Sequence, residues 1–532
     1  MARRRSTPQV RTRPWMRYAS LGLLVATGVA LCAIVAARPT LGVAGEHAYG
    51  YHPAPRASGL LVLLVASAPL AVAAVIVLTR RGKPARVGTW AMVGLMCVGS
   101  LALHAVSSTA TKAYPGMELA WPFLWANTEG AYAEMAGHAG RLDRFVANYP
   151  HRLDVSPDPR SRHYVAIHHA QVHPPGIILA FAALDRFYGA VPAARRAVTR
   201  AVSASFPLEV EMLDAADVAI DHPAPVAFTV AFATIFLASV APLVCLLALR
   251  GIWPPRVVMG ACLLAALLPG THLFNPSVDQ AYPTLVLVLV GLGARAAVTR
   301  RWPWGAAFGL ALYAAVFLHV GLALVAVILG LAGILAWRAW RPEMSLRELA
   351  AAYWPVAAGA TLGFLTPAFI LQLWLGYPTF RVILACLRNN RLFNLARKRS
   401  YGAWVVVTPF EFALSLGVGL ALVCLVGWVR EVVAAVREGA LRARNVVLLA
   451  TVGVLALLVV LGMNRGETAR LWLFVTPLLV VGAADALCRE ERVAPWLFAA
   501  LAFCQWLQLV VLRVVLDPNW TSTFFLKHLG GQ

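Results

Sequence analysis

Glu129 stands in the string Asn127-Thr128-Glu129-Gly130-Ala131-Tyr132, and His173-Pro174-Pro175-Gly176 follows in the same long polar stretch. That stretch separates an apolar run ending near Ser108 from the next, which starts near Pro225. A carboxylate is a proton-transfer group, and a Pro-Pro pair marks a helix start. A second set of residues suits anion binding. Arg381, Arg388, Arg391, Arg397, Lys398 and Arg399 lie between Gly376 and Thr408, interleaved with Asn389, Asn390 and Asn394. Guanidinium groups hold phosphate through charge-assisted, often bidentate hydrogen bonds. The preferred ligand is a lipid-linked phosphate or diphosphate; the other reading is an amphipathic helix resting on anionic headgroups.

The elements that must position these residues are apolar. Of 532 residues, 60% are hydrophobic and 13% charged, and many runs are long enough to cross a hydrocarbon core of about 30 Å. The chain is expected to be an all-α polytopic membrane protein. Its net charge of +22 does not imply nucleic acid, because the arginines gather at the ends of apolar runs, where they orient helices and meet anionic lipid. The 8 cysteines are scattered, mostly inside apolar segments, with no paired or metal-like spacing.

Charge patterning predicts the topology. The basic start, Arg3-Arg4-Arg5 to Arg17, precedes a retained first span (Ala19–Ala36) and is cytoplasmic. Spans near Gly59–Leu78 and Gly88–Val106 then deliver the polar insert to the outside. His173–Tyr188 is short for a span and carries Asp185 and Arg186, so it reads as an interfacial or re-entrant helix. The later spans are Pro225–Leu249, Val257–Leu268, Ala281–Val298, Trp304–Leu318, Val320–Trp337, Tyr353–Leu375, Pro409–Val429, Val446–Leu461, Arg470–Leu487 and Pro495–Leu512. The total is about 13 spans, with the basic clusters Arg295–Arg301, Arg338–Arg347 and Arg430–Arg444 inside. The domains are residues 1–107, a membrane segment with a basic cytoplasmic tail; 108–223, the external subdomain; and 224–532, a multi-helix region carrying the arginine loop 376–408.

Four outer segments could converge: the insert, Asn275-Pro276-Ser277-Val278-Asp279-Gln280, the arginine loop, and Asn464-Arg465-Gly466-Glu467-Thr468-Ala469-Arg470. Acids and arginines meeting on one side of a membrane protein define a candidate site. Asp279 either caps the helix starting near Ala281 or belongs to that site. Arg465, Glu467 and Arg470 either pair with one another, or Glu467 serves the helix dipole and leaves the arginines for a ligand. His163, His168, His169 and His173 lack a helical His-Glu-x-x-His or a Cys partner, so no metal is assigned. The spans hold few polar residues beyond His319 and Gln372.

The acid of the insert, the Tyr132 aromatic and the later His173-Pro174-Pro175 together resemble the GT-C glycosyltransferases, above all the protein O-mannosyltransferases and the aminoarabinose or related transferases that use polyprenyl-phosphate sugars. The likeness covers the architecture from Gly88 onward, but only these short motifs carry it residue by residue. Two departures stand out. The family often has Asp-Glu or Asp-Asp where this chain has Thr128-Glu129, and roughly three spans precede the insert here instead of one. The second brings in Glu46 as an alternative acid, because Gly45-Glu46-His47-Ala48-Tyr49 is a similar acid-then-tyrosine string.

The resemblance implies a large catalytic external loop with juxtamembrane helices, and an inverting transfer of a hexosyl or pentosyl group. Glu129 would be the catalytic base or orienting carboxylate. Arg388, Arg391, Arg397, Lys398, Arg465 and Arg470 would stabilise the departing lipid phosphate, and Tyr132, His173, Pro174, Pro175 and Asp279 would bind substrate or shape the site. Since the leaving group is already a phosphate, a divalent metal is compatible but not required, and no other cofactor is expected. The implied partners are a polyprenyl-phosphate sugar, an acceptor glycan, lipid or protein, and membrane lipids, with no nucleic acid. The implied place is a bacterial inner membrane, with the site on its extracytoplasmic face. The competing readings are a transporter or flippase of lipid-linked saccharides, and a non-catalytic scaffold.

Overall fold

An apolar run in hydrocarbon has no water to bond its backbone, and the α-helix satisfies every peptide group within one segment. The structure, a computed structural model, describes residues 14–44, 46–51, 57–79, 86–109, 115–124, 130–137, 140–154, 169–215, 223–438, 445–488 and 495–517. Glu129, His163 and His168 lie outside the described residues. Among those described, 9 helices are long and apolar enough to cross a membrane, or up to 12 if each of 3 bent pairs is one span. The chain is a predominantly helical, multi-pass membrane protein. Pro255–Leu273 is buried over 94% of its most apolar window and Thr468–Cys488 over 83%, whereas Leu346–Leu375 is buried over 11%. The first two therefore form the centre of the bundle, and the third faces lipid.

Several boundaries differ from the hydropathy reading. The expected span Pro409–Val429 is two helices, Tyr401–Leu416 and Val418–Glu438, separated by Gly417 at φ +98°. A side chain there would be strained and would run into Gln505. The short span at Val257 continues to Leu273, because Pro269 opens a new short helix soon after the first one ends at Ala266. His173–Tyr188 becomes Gly176–Ala190, followed at once by Pro192–Ser205 at 105°. A bend that sharp keeps the pair from being one straight span.

Close packing uses small residues. Gly305 and Gly309 on the helix Trp302–Leu318 meet Gly359 and Gly363 on the helix Leu346–Leu375, and a methyl group at any of the four would strike a backbone oxygen of the facing helix. This is the small-xxx-small device of membrane helices. At one end of the bundle two tiny antiparallel ladders form, Gly42–Val43 with His47–Ala48 and Gly50–Tyr51 with Leu516–Asp517, tying the first loop to the end of the last helix. Beneath them Arg513, fully buried, donates to the carbonyls of Ser107 (2.7 Å), Leu273 (2.8 Å) and Asn275 (3.1 Å). Asn275 Nδ2 in turn donates to the His104 carbonyl at 2.6 Å. These bonds fix the turn that leads into Asp279.

Candidate functional site

The turn before the helix Tyr282–Thr299 decides what Asp279 does. Ser277 Oγ accepts from the Asp279 N–H at 3.2 Å and Gln280 Oε1 accepts from the Ser277 N–H at 3.0 Å, which completes a capping box without the Asp279 carboxylate. That carboxylate instead meets Arg470 Nε at 3.3 Å, with the two side chains only 8% and 11% exposed. Arg470 Nη2 also meets Glu467 at 2.6 Å, and the other Glu467 oxygen meets Arg399 Nη2 at 3.1 Å. Glu467 therefore bridges the guanidiniums of Arg399 and Arg470. Its backbone is left-handed, φ +58°, an uncommon conformation for a non-glycine residue.

Arg465 closes this network from the side. It donates to the Arg399 carbonyl at 3.0 Å and the Gly462 carbonyl at 3.3 Å, with its guanidinium over the Tyr401 ring; Arg399 donates back to the Arg465 carbonyl. Glu46 is engaged too: its Oε2 accepts from Ser400 N–H at 2.8 Å and Trp404 Nε1 at 2.7 Å, capping the helix Tyr401–Leu416. Burial pushes the Glu46 carboxyl up, but the bonds from Ser400 and Trp404 and the nearby Arg399 outweigh it and hold the group below the usual carboxylate range. Next to it, burial drives the His47 imidazole below its ordinary value, against the pull of Glu467.

The His173 segment reaches the same place from the opposite side. Pro174 and Pro175 are buried and open the helix at Gly176, and Tyr149 Oη donates to the His173 carbonyl at 2.8 Å. A side chain at Gly176 would strike the Phe317 carbonyl, so only glycine lets this helix start against the residues leading to His319. The His173 ring packs edge-on to Tyr132 (5.6 Å) and lies 4.8 Å from His319, whose ring is 5.2 Å from Tyr282. His319 lies within electrostatic reach of Arg470. A continuous run thus joins Tyr132, two residues past Gly130, to the Asp279–Arg470 pair.

The arginine loop divides. It forms a helix, Thr379–Ala396, in which Arg388 donates to the Leu153 carbonyl at 3.0 Å and meets Asp154 at 3.4 Å. Asn389 donates to the carbonyls of Leu153 (2.9 Å) and Gln171 (3.0 Å), which anchors the chain just ahead of His173. Arg391, Arg397 and Lys398 are exposed, Arg397 lying over Phe393. Arg399 enters the buried network, a role sequence reading did not assign it. His319, Tyr282, Trp404 and Glu411 were missed as site residues as well. Glu411 and His319 did carry a signal, an ionisable group inside an otherwise apolar run. No family model matches this chain and no curated protein matches it, so its site is defined by these contacts alone.

Proposed function

We propose that this protein is an integral-membrane glycosyltransferase that moves a sugar from a polyprenyl-phosphate carrier to an acceptor hydroxyl on the extracytoplasmic face of a bacterial inner membrane. One observation carries the reading. At a single end of a membrane bundle, a buried acid and guanidinium, Asp279 and Arg470, adjoin the His173-Pro174-Pro175 segment and the Tyr132 that follows Glu129. In the reaction, Glu129 takes the proton of the acceptor hydroxyl as its oxygen attacks the anomeric carbon. The bond from that carbon to the phosphate oxygen breaks, and the negative charge leaves on the lipid phosphate. Arg470, held by Asp279 and Glu467, is oriented before the charge develops, which is how a cation contributes most. Exposed Arg391, Arg397 and Lys398 draw the anionic carrier toward the site.

Purified protein in lipid vesicles, supplied with a panel of polyprenyl-phosphate sugars, tests the reading. Glu129→Gln is expected to keep its thermal unfolding temperature and lose transfer by about a thousandfold or more, in line with loss of a general base together with its positioning role. Full activity in that variant rules out Glu129 as the base. Glu46→Gln, which alters a helix cap, is expected to keep transfer; if it alone abolishes transfer, the acid is Glu46.

A further inference from the structure

Thr408, Glu411 and Tyr49 form a second polar group at this end of the bundle, outside the run just described. Thr408 and Glu411 stand one turn apart on the helix Tyr401–Leu416, so their side chains leave from one face. Each is 2% exposed. Glu411 Oε2 is satisfied, accepting from Thr468 N–H at 3.0 Å and Thr468 Oγ1 at 2.7 Å. Glu411 Oε1 has no hydrogen-bond partner, and neither has Thr408 Oγ1. Tyr49, 7% exposed, packs in the small core with Leu273, Phe274 and Ala469, the neighbour of Thr468. Its hydroxyl is also unpartnered, and it lies within electrostatic reach of Glu411. Burial pushes the Tyr49 phenol well above its ordinary value, and the charges of Glu411 and Glu467 add to this, so it is a neutral hydroxyl.

Each unsatisfied buried polar atom costs about 1–3 kcal/mol, and an unpaired carboxylate costs more. The two hydroxyls can rotate their protons, yet neither donates to Glu411 Oε1, so three buried oxygens at this end of the bundle are left without a partner. Among the described residues no cluster of three or more His, Cys, Asp or Glu could hold a metal. One carboxylate with neutral hydroxyls instead suits a hard cation of single charge.

We propose that Glu411 Oε1, Thr408 Oγ1 and Tyr49 Oη bind a sodium-sized monovalent cation. The ion offsets the charge of Glu411 and clamps the first external loop, through Tyr49, to the helix Tyr401–Leu416 and the Thr468 turn. The site does not depend on the glycosyltransferase reading. Thermal unfolding of the full-length protein in detergent, in sodium chloride against choline chloride at equal ionic strength, tests it. Sodium is expected to raise the unfolding temperature with a saturating dose dependence, and Glu411→Gln is expected to abolish the response. Thr408→Val and Tyr49→Phe, which keep the carboxylate and the shape, are expected to shift the sodium midpoint by about tenfold each, the scale of one lost oxygen contact. They carry the test if Glu411→Gln does not fold. A wild-type protein equally stable in sodium and choline overturns the proposal and leaves a proton on Glu411. A sodium response undiminished in both Thr408→Val and Tyr49→Phe overturns it too.

Discussion

Two sets of arginines occupy the same end of this bundle. Arg399, Arg470 and Arg513 are buried and bonded to carboxylates or carbonyls, whereas Arg391 and Arg397 are exposed on or next to one helix. Sequence spacing treats Arg397 and Arg399 alike, although they stand two positions apart. What separates them is the end of the helix Thr379–Ala396: Lys398 turns left-handed at φ +52° and sends Arg399 inward against Glu467, while Arg397 stays outside over Phe393. The buried guanidiniums are held in place by acids or carbonyls, whereas Arg391 and Arg397 reach solvent. Mutating the two sets should give effects of different kind as well as different size.

The largest effect is expected at Arg513. Arg513→Gln strips a charged donor from the carbonyls of Ser107, Leu273 and Asn275 at once. Bonds to a charged group contribute about 1.5–3 kcal/mol each, so a loss of about 5 kcal/mol or more, or failure to accumulate, is expected. Thermal unfolding and expression level measure it, and near-wild-type stability would mean that burial alone does not make these arginines structural. Next comes the Asp279–Arg470 pair. Removing one partner of a buried pair costs about 3–5 kcal/mol, whereas joint replacement by apolar residues of similar volume costs far less. Asp279→Leu and Arg470→Met, singly and together, are therefore expected to show strong coupling in a double-mutant cycle. If the double variant is stable but inactive, the pair serves chemistry and not folding.

A smaller effect is expected at Glu46. Its folded carboxyl titrates below the usual range, so its contribution is complete above the ordinary carboxylate pKa and is lost as pH falls through the lower folded value. Glu46→Gln should flatten the acid limb of a stability-against-pH curve and leave the neutral region little changed. An acid limb identical to wild type would show that the Ser400 and Trp404 bonds do not hold this charge.

Much of the fold follows from residue patterns, because apolar length and terminal charge are local properties. The bend after Ala190 follows from a stretch too short to span and from Pro192. The break at Gly417 was hidden inside a continuous apolar run, since it depends on Gln505 from a distant helix. The candidate site divides in the same way. The Asn275–Gln280 turn, the arginine loop and the Asn464–Arg470 string stand out as polar islands between spans, and the structure brings Asp279, Arg399, Glu467 and Arg470 together. Which arginine turns inward is a tertiary fact, set by a left-handed residue and a facing acid. Arg513 gave no signal either, because its partners are backbone carbonyls from two distant segments.

The smallest effect is expected where sequence reading placed the ligand, at Arg391 and Arg397. Their helix leaves Phe380, Leu384, Leu387 and Leu395 exposed, so it has an apolar surface for lipid alongside its charges. Arg391→Ala and Arg397→Ala should change stability by no more than about 0.5 kcal/mol, as surface substitutions do. Each removes a charge contributing about 1 kcal/mol of attraction near an anionic surface. The donor KM is therefore expected to rise about fivefold per substitution in low salt with kcat unchanged, and the difference should vanish near 1 M salt, where screening acts within about 3 Å. A fall in kcat that persists in high salt would place these residues against the reacting phosphate, and the division between structural and ligand-facing arginines would then run through the exposed set as well.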